Sequence, residues 1–233
     1  MARITRKELK ADKFALEVEH TVTFFEEHQK ELIRYGLIAV GVIALIVGYT
    51  IYSRHEHGIR EAALGQAIEV QEAPVGPPSP GQNMNFPTQD AKDQVATKAF
   101  TDLQAKYPGS EEGQIAEYYL GAIKADQGKL AEAEKSFKQV ADKGDANYAS
   151  LAKLSLAQIY FADGRAPMGE NVLRDLMAHP TIYVSKEQAT YTLAKFLAPT
   201  KPAEARKLLE TLRAIPGAVG EKANQALGEL PAQ

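Results

Sequence analysis

From Tyr35 to Tyr52 the chain reads YGLIAVGVIALIVGYTIY, without a charged side chain. As a helix this run is about 27 Å long, close to the ~30 Å hydrocarbon thickness of a bilayer. Tyr35, Tyr49 and Tyr52 stand at its ends, where amphipathic rings settle among headgroups, and Arg34 and Arg54 close it. A helix buried in a soluble core seldom runs so far without a polar face. A cleaved signal peptide starts earlier, is shorter and ends on a small-residue cleavage motif that does not follow here. The run is therefore expected to stay as a transmembrane anchor. Ala44 and Gly48 form one small-xxx-small pair within it, which reads as lipid contact before helix pairing.

Lysine and arginine set the orientation of such a span. Arg3, Arg6, Lys7, Lys10, Lys13, Lys30 and Arg34 precede it, whereas only Arg54 and Arg60 follow before Lys92. The expected arrangement is a cytoplasmic tail at 1–34, a transmembrane helix at 35–52 and the bulk, 53–233, across the membrane. In the tail, Thr5 to Glu8 has capping-box spacing. Phe14, Val18, Val22 and Phe25 follow at helical intervals. An amphipathic helix on the inner membrane surface fits this pattern, and so does a helix that runs on into the span.

Beyond the span the chain repeats itself. Small residues recur at Ala96, Ala133, Gly169 and Ala205, a spacing of 36 or 37. Four residues after each comes Phe100, Phe137, Leu173 or Leu209, and three further on Leu103, Val140, Leu176 or Leu212. Pro108, Gly144, Pro180 and Pro216 break the units; proline ends a helix and glycine permits a left-handed cap. A first helix precedes each of these second helices, marked by Leu120-Gly121 and Leu156-Ala157, by the aromatics Tyr160 and Phe196, and by turn glycines Gly128 and Gly164. A small residue lets two helices approach, large ones fill the layer between them, and stacking buries what one pair cannot. These positions resemble the tetratricopeptide pattern in degenerate form, since the period exceeds 34 residues and the chain has no Trp. The fold class expected is all-α: an N-terminal amphipathic and transmembrane helix, then an α-solenoid of about four helix pairs. The first pair starts near Glu56 to Val70 and is interrupted by a Pro/Gly-rich, mobile insertion at 73–90, with P-x-x-P spacing at Pro74, Pro77 and Pro80. Val219 to Leu230 caps the far end.

The same sequence is poor in chemistry. There is no cysteine, so thiol catalysis, disulfides and thiolate metal sites are excluded. A net charge of -3 gives no general pull toward nucleic acid. Phosphate-binding loops, H-E-x-x-H and G-x-S-x-G are missing. His55 and His57, two apart, point away from each other on a helix and chelate a metal poorly. No catalytic, cofactor or metal residue is expected, and binding is left. If first helices line a groove, repeat position puts Ile115, Tyr118, Leu154, Gln158 and Phe161 there, although apolar residues at helical spacing more often belong to the core.

The order of parts also resembles the YfgM family of ancillary subunits of the bacterial Sec translocon. The likeness is carried by VEHTVTFFEEHQKEL (18–32), the GYTIYSR exit (48–54), REAALGQAI (60–68) and the degenerate repeats after them. It departs in the proline-rich insertion and the longer tail. The resemblance implies an inner-membrane protein with a periplasmic repeat domain. Its implied partners are Sec translocon subunits, a membrane-anchored periplasmic prolyl-isomerase-type chaperone and exported client chains. The alternative is an envelope-assembly scaffold for cell wall, division or cytochrome biogenesis, with the same architecture.

Overall fold

The computed structural model describes residues 6–77 and 84–231. The capping box at Thr5 and the spacing from Pro77 to Pro80 lie outside them, and so do the side chains of Phe14, Val18, Val22 and Phe25. Two compact units divide the chain, Met1–Ile59 and Arg60–Gln233.

A single helix, α1 (Arg6–Glu72), carries residues 6–34 and the apolar run without a break. One stretch among the described residues is long and apolar enough to cross a membrane, and it lies in this helix. None of its apolar window is buried, and Leu37, Val40, Leu45 and Ile51 all stand open. A core helix would have these covered.

The second unit is a run of antiparallel neighbours. The end of α1 is followed by α2 (Gln89–Lys106), α3 (Glu111–Asp126), α4 (Leu130–Lys143), α5 (Ala146–Ala162), α6 (Ala166–Ala178), α7 (Lys186–Leu197), α8 (Pro202–Arg213) and α9 (Ala218–Glu229). From α2 on, each helix packs chiefly on the next one in sequence, the arrangement of a repeat solenoid. The expected frame falls on the core. Ala96, Ala133, Gly169 and Ala205 are buried, as are Phe100, Phe137, Leu173 and Leu209 and the third set Leu103, Val140, Leu176 and Leu212. Ala67 and Val70 of α1 join Ala96, Phe100, Ala116 and Leu120, so α1 supplies the first helix of the first pair. Arg60 fixes it further by donating to the buried Glu112 on α3 at 2.9 Å.

The helix ends follow the sequence. Side chains of Thr88, Ser110, Asp145 and Ser185 accept from backbone N–H groups in the first turns of α2, α3, α5 and α7. Gly128 and Gly164 have φ near +75° in the tight turns inside pairs, a conformation only glycine adopts without strain. Gly144 is different: its φ is -71°, so the expected left-handed cap does not form there. Space is what requires it, since a Cβ would lie 2.7 Å from the Val140 carbonyl oxygen. The proline-rich insertion is tied where it leaves and rejoins the stack. Gly76 N–H donates to Phe86 O at 2.8 Å and Phe86 N–H to Pro74 O at 3.0 Å, a parallel bridge between Val75 and Phe86.

Candidate functional site

The helix pairs leave a groove beside their first helices. Between α3 and α5 lies a cleft of about 300 Å³, bordered by Ala122, Ala125, Asp126, Ser155, Gln158 and Ala162. Between α5 and α7 lies a second, about 300 Å³, bordered by Gln158, Tyr191, Thr192, Lys195 and Phe196. A third, about 180 Å³, is bordered by Ser185, Glu187, Gln188, Tyr191, Val219 and Lys222 on α7 and α9. Gln158 borders the first two and Tyr191 the last two, so the three clefts adjoin one another along the first helices. Another cleft, about 500 Å³, lies on α2 and the α3–α4 turn; its lining, including Asp90, Thr97, Gln127 and Lys129, is wholly polar and offers no apolar anchor.

Sequence position placed five residues at such a groove, and they take three different environments. Gln158 is exposed on its rim. Phe161 is half-buried and stacks on Phe196, centroids 4.1 Å apart and rings 4° from parallel, forming a wall behind the second cleft. Tyr118 is half-buried, 5.6 Å from the rings of both Phe137 and Tyr148, with its hydroxyl bonded to Ser155; burial pushes its phenol up. Ile115 and Leu154, each 8% exposed, lie in the packed interior. Of the five, Gln158 borders a cleft, Phe161 backs one through Phe196, and Tyr118 packs among neighbouring rings.

Ala122, Gln158 and Lys195 were legible as a set. Each follows the buried leucine-plus-small pair of its first helix: Leu120-Gly121, Leu156-Ala157 and Leu193-Ala194. Leu193 follows Leu156 by 37 residues and Phe196 follows Tyr160 by 36, so Phe196 stands one residue off the place held by Tyr160. Tyr160 is buried under the Arg165 guanidinium, 4.6 Å from its ring centre, while Leu197 fills the matching buried place in α7.

A row of tyrosines crosses the stack at the other end of these helices. Tyr119 stacks on Phe100 at 4.9 Å, Tyr118 meets Tyr119 at 5.7 Å and Tyr148 meets Tyr183 at 5.5 Å. The Tyr119 and Tyr148 hydroxyls bond to each other, and burial raises both phenols. These rings serve packing between pairs. Among the described residues no three His, Asp or Glu side chains gather closely enough to hold a metal ion.

Glutamates and basic residues of successive pairs meet at a fixed step. Arg165 donates to Glu134, and Lys201 to Glu170, both across 31 residues of sequence. Arg165 and Lys201 are the N-cap residues of α6 and α8, which lack a side-chain cap. A cation there opposes the helix dipole, and the glutamate of the preceding pair offsets it.

No curated protein matches the chain, and no solved structure matches it. A family model does: the tetratricopeptide repeat-like domain matches residues 23–210, from ahead of the apolar run into α8. With its helix pairs, its buried repeat frame and that match over most of its length, the chain belongs to the tetratricopeptide repeat-like domain family.

Proposed function

We propose that this chain is a membrane-anchored scaffold that binds other polypeptides along the groove running from Ala122 to Lys222. The observation that carries this is the succession of three clefts along α3, α5, α7 and α9, neighbours across Gln158 and Tyr191. A groove of small and polar side chains over an aromatic wall suits a polypeptide better than a small molecule, which needs an enclosed, converging pocket. On this reading Gln158 meets the client, Phe161 braces Phe196 behind it, and Ile115, Leu154 and Tyr118 hold the first helices together. In this proposal the span anchors the chain in the inner membrane, with the tail at 1–34 in the cytoplasm and 53–233 in the periplasm, as the lysine and arginine bias favours. The translocon-associated role implied by the YfgM resemblance is the preferred setting. It is supported by the family match beginning at residue 23, inside the tail-plus-span block that carries the resemblance.

A photoreactive amino acid at Gln158, with Lys207 on α8 as a control outside all the clefts, tests the groove in cells. Adducts to exported chains, Sec subunits or a periplasmic chaperone at Gln158 and not at Lys207 are expected. Equal labelling at both positions, or none at Gln158, overturns the proposal. A reporter fused after Gln233 that is active only in the cytoplasm overturns the orientation.

A further inference from the structure

We infer that the groove takes an extended segment carrying a bulky apolar side chain and, about three residues away, an internal acidic side chain. This inference rests on the groove reading above. The third cleft, about 180 Å³, has room for one large aliphatic or aromatic side chain, between Tyr191, Val219 and the stem of Lys222. Its Glu187 and Lys222 balance each other in charge, so its selectivity is one of shape and apolarity.

The second cleft is different. Lys195 is its only charged lining residue, and among the described residues no carboxylate pairs with it, whereas Lys138, Lys153 and Lys201 all hold an acid. Around it stand the Gln158 amide and the Thr192 hydroxyl, both able to donate. A carboxylate is the group that such a set accepts, by charge complementarity and by hydrogen bonding. Further clefts adjoin it on both sides, the first across Gln158 and the third across Tyr191. The acid therefore belongs to a side chain of a passing segment rather than to a chain terminus. The first cleft is mainly apolar, lined by Leu130, Phe137 and Ile159 beside its alanines, and Asp126 makes that end disfavour a second acid. The second and third clefts flank α7, so their centres lie roughly a helix width apart, about 10 Å. Extended chain covers that in about three residues.

The probe is a set of dye-labelled dodecapeptides of Gly, Ala and Ser with both ends blocked, carrying Leu-x-x-Glu or Glu-x-x-Leu. Binding to the full chain in detergent micelles is read by fluorescence anisotropy. One of the two orders is expected to bind at least fivefold more tightly than its Glu→Lys and Leu→Ala versions, and Lys195→Glu is expected to reverse the Glu-over-Lys preference. Binding that ignores Glu→Lys and Lys195→Glu overturns the acidic preference, and binding that ignores Leu→Ala overturns the apolar one. If no peptide binds, the inference falls, while adducts from Gln158 in cells would still uphold the groove.

Discussion

Arg165 grips Glu134 with both prongs of its guanidinium, Nη1 to Oε1 at 3.0 Å and Nη2 to Oε2 at 2.6 Å, across the junction between two helix pairs. Lys138 adds a third donor to the same carboxylate at 2.7 Å. Fork-to-fork pairing is the strong form of this contact, and the Glu134 side chain is only 14% exposed.

That contact carries a pH signature. Hydrogen bonds from Arg165 and then Lys138 hold the Glu134 carboxyl at about 2, below its ordinary 4.5. A carboxyl depressed in the folded chain contributes stability that is in full above its unfolded value and is lost as pH falls through the folded one. Glu134→Gln should lower the thermal midpoint by about 2–4 °C at pH 7. The gap to the unsubstituted chain should close between roughly pH 5 and pH 2. A gap that persists unchanged at pH 2.5 would show that the carboxylate is not its source.

Gly169 and Gly65 should respond oppositely to alanine. A Cβ at Gly169 would lie 2.7 Å from the Phe161 ring and 3.0 Å from the Ala157 carbonyl oxygen, whereas one at Gly65 on α1 meets nothing within 4 Å. Gly169→Ala is expected to cost about 1–3 kcal/mol through overpacking, more than the ~1 kcal/mol that helix propensity returns. Gly65→Ala is expected to be neutral or to stabilise by up to about 1 kcal/mol. Urea titrations of both variants check the signs; a stabilised Gly169→Ala would contradict the close approach of α5 and α6.

Phe137→Ala should be among the most damaging single changes. The ring is buried, lies against Gly121 of the facing helix and touches the Tyr118 ring. Large-to-small changes at such sites cost about 3–5 kcal/mol. Because each pair depends on its neighbours, amide exchange should quicken in α3, α4 and α5 before α8. Uniform quickening across α2 to α9 would instead mean that the stack melts as one body.

Leu45→Arg addresses the anchor. A charge near the middle of a span costs about 2.5–3.5 kcal/mol of insertion free energy, and Leu45 is 76% exposed on the helix, outside the packed cores. The fraction resisting alkaline extraction should drop, while the far-ultraviolet spectrum keeps its helical form. Unchanged extraction behaviour would count against the run as a membrane anchor.

The helix pairs were readable because they obey two local rules at once. Apolar residues recur with the helical period, and small residues recur with the repeat period, so Ala133, Phe137 and Val140 could be placed in the core before any coordinates. The groove was less legible. Whether an apolar residue on a first helix faces a neighbour or a cleft depends on the rotation between pairs, which is why Ile115 and Leu154 are buried whereas Phe161 is half-buried and stacks on Phe196. Lys195 was obscured because the step from Leu156 to Leu193 is 37 residues where Leu120 to Leu156 is 36. The Glu134–Arg165 and Glu170–Lys201 pairs were present as a 31-residue step, but a charge step has no meaning until the turns that close it are known.

Thr97 stands in α2 where Glu134 and Glu170 stand in α4 and α6, one residue after the small one, and Lys129 at the start of α4 borders a polar cleft. The first seam is clasped elsewhere, by Arg60 on α1 reaching Glu112 on α3, so each of the three internal seams carries an ion pair. Under tension between its two ends, such a chain is a set of springs in series, and its extension is shared among the three seams instead of being taken up at one.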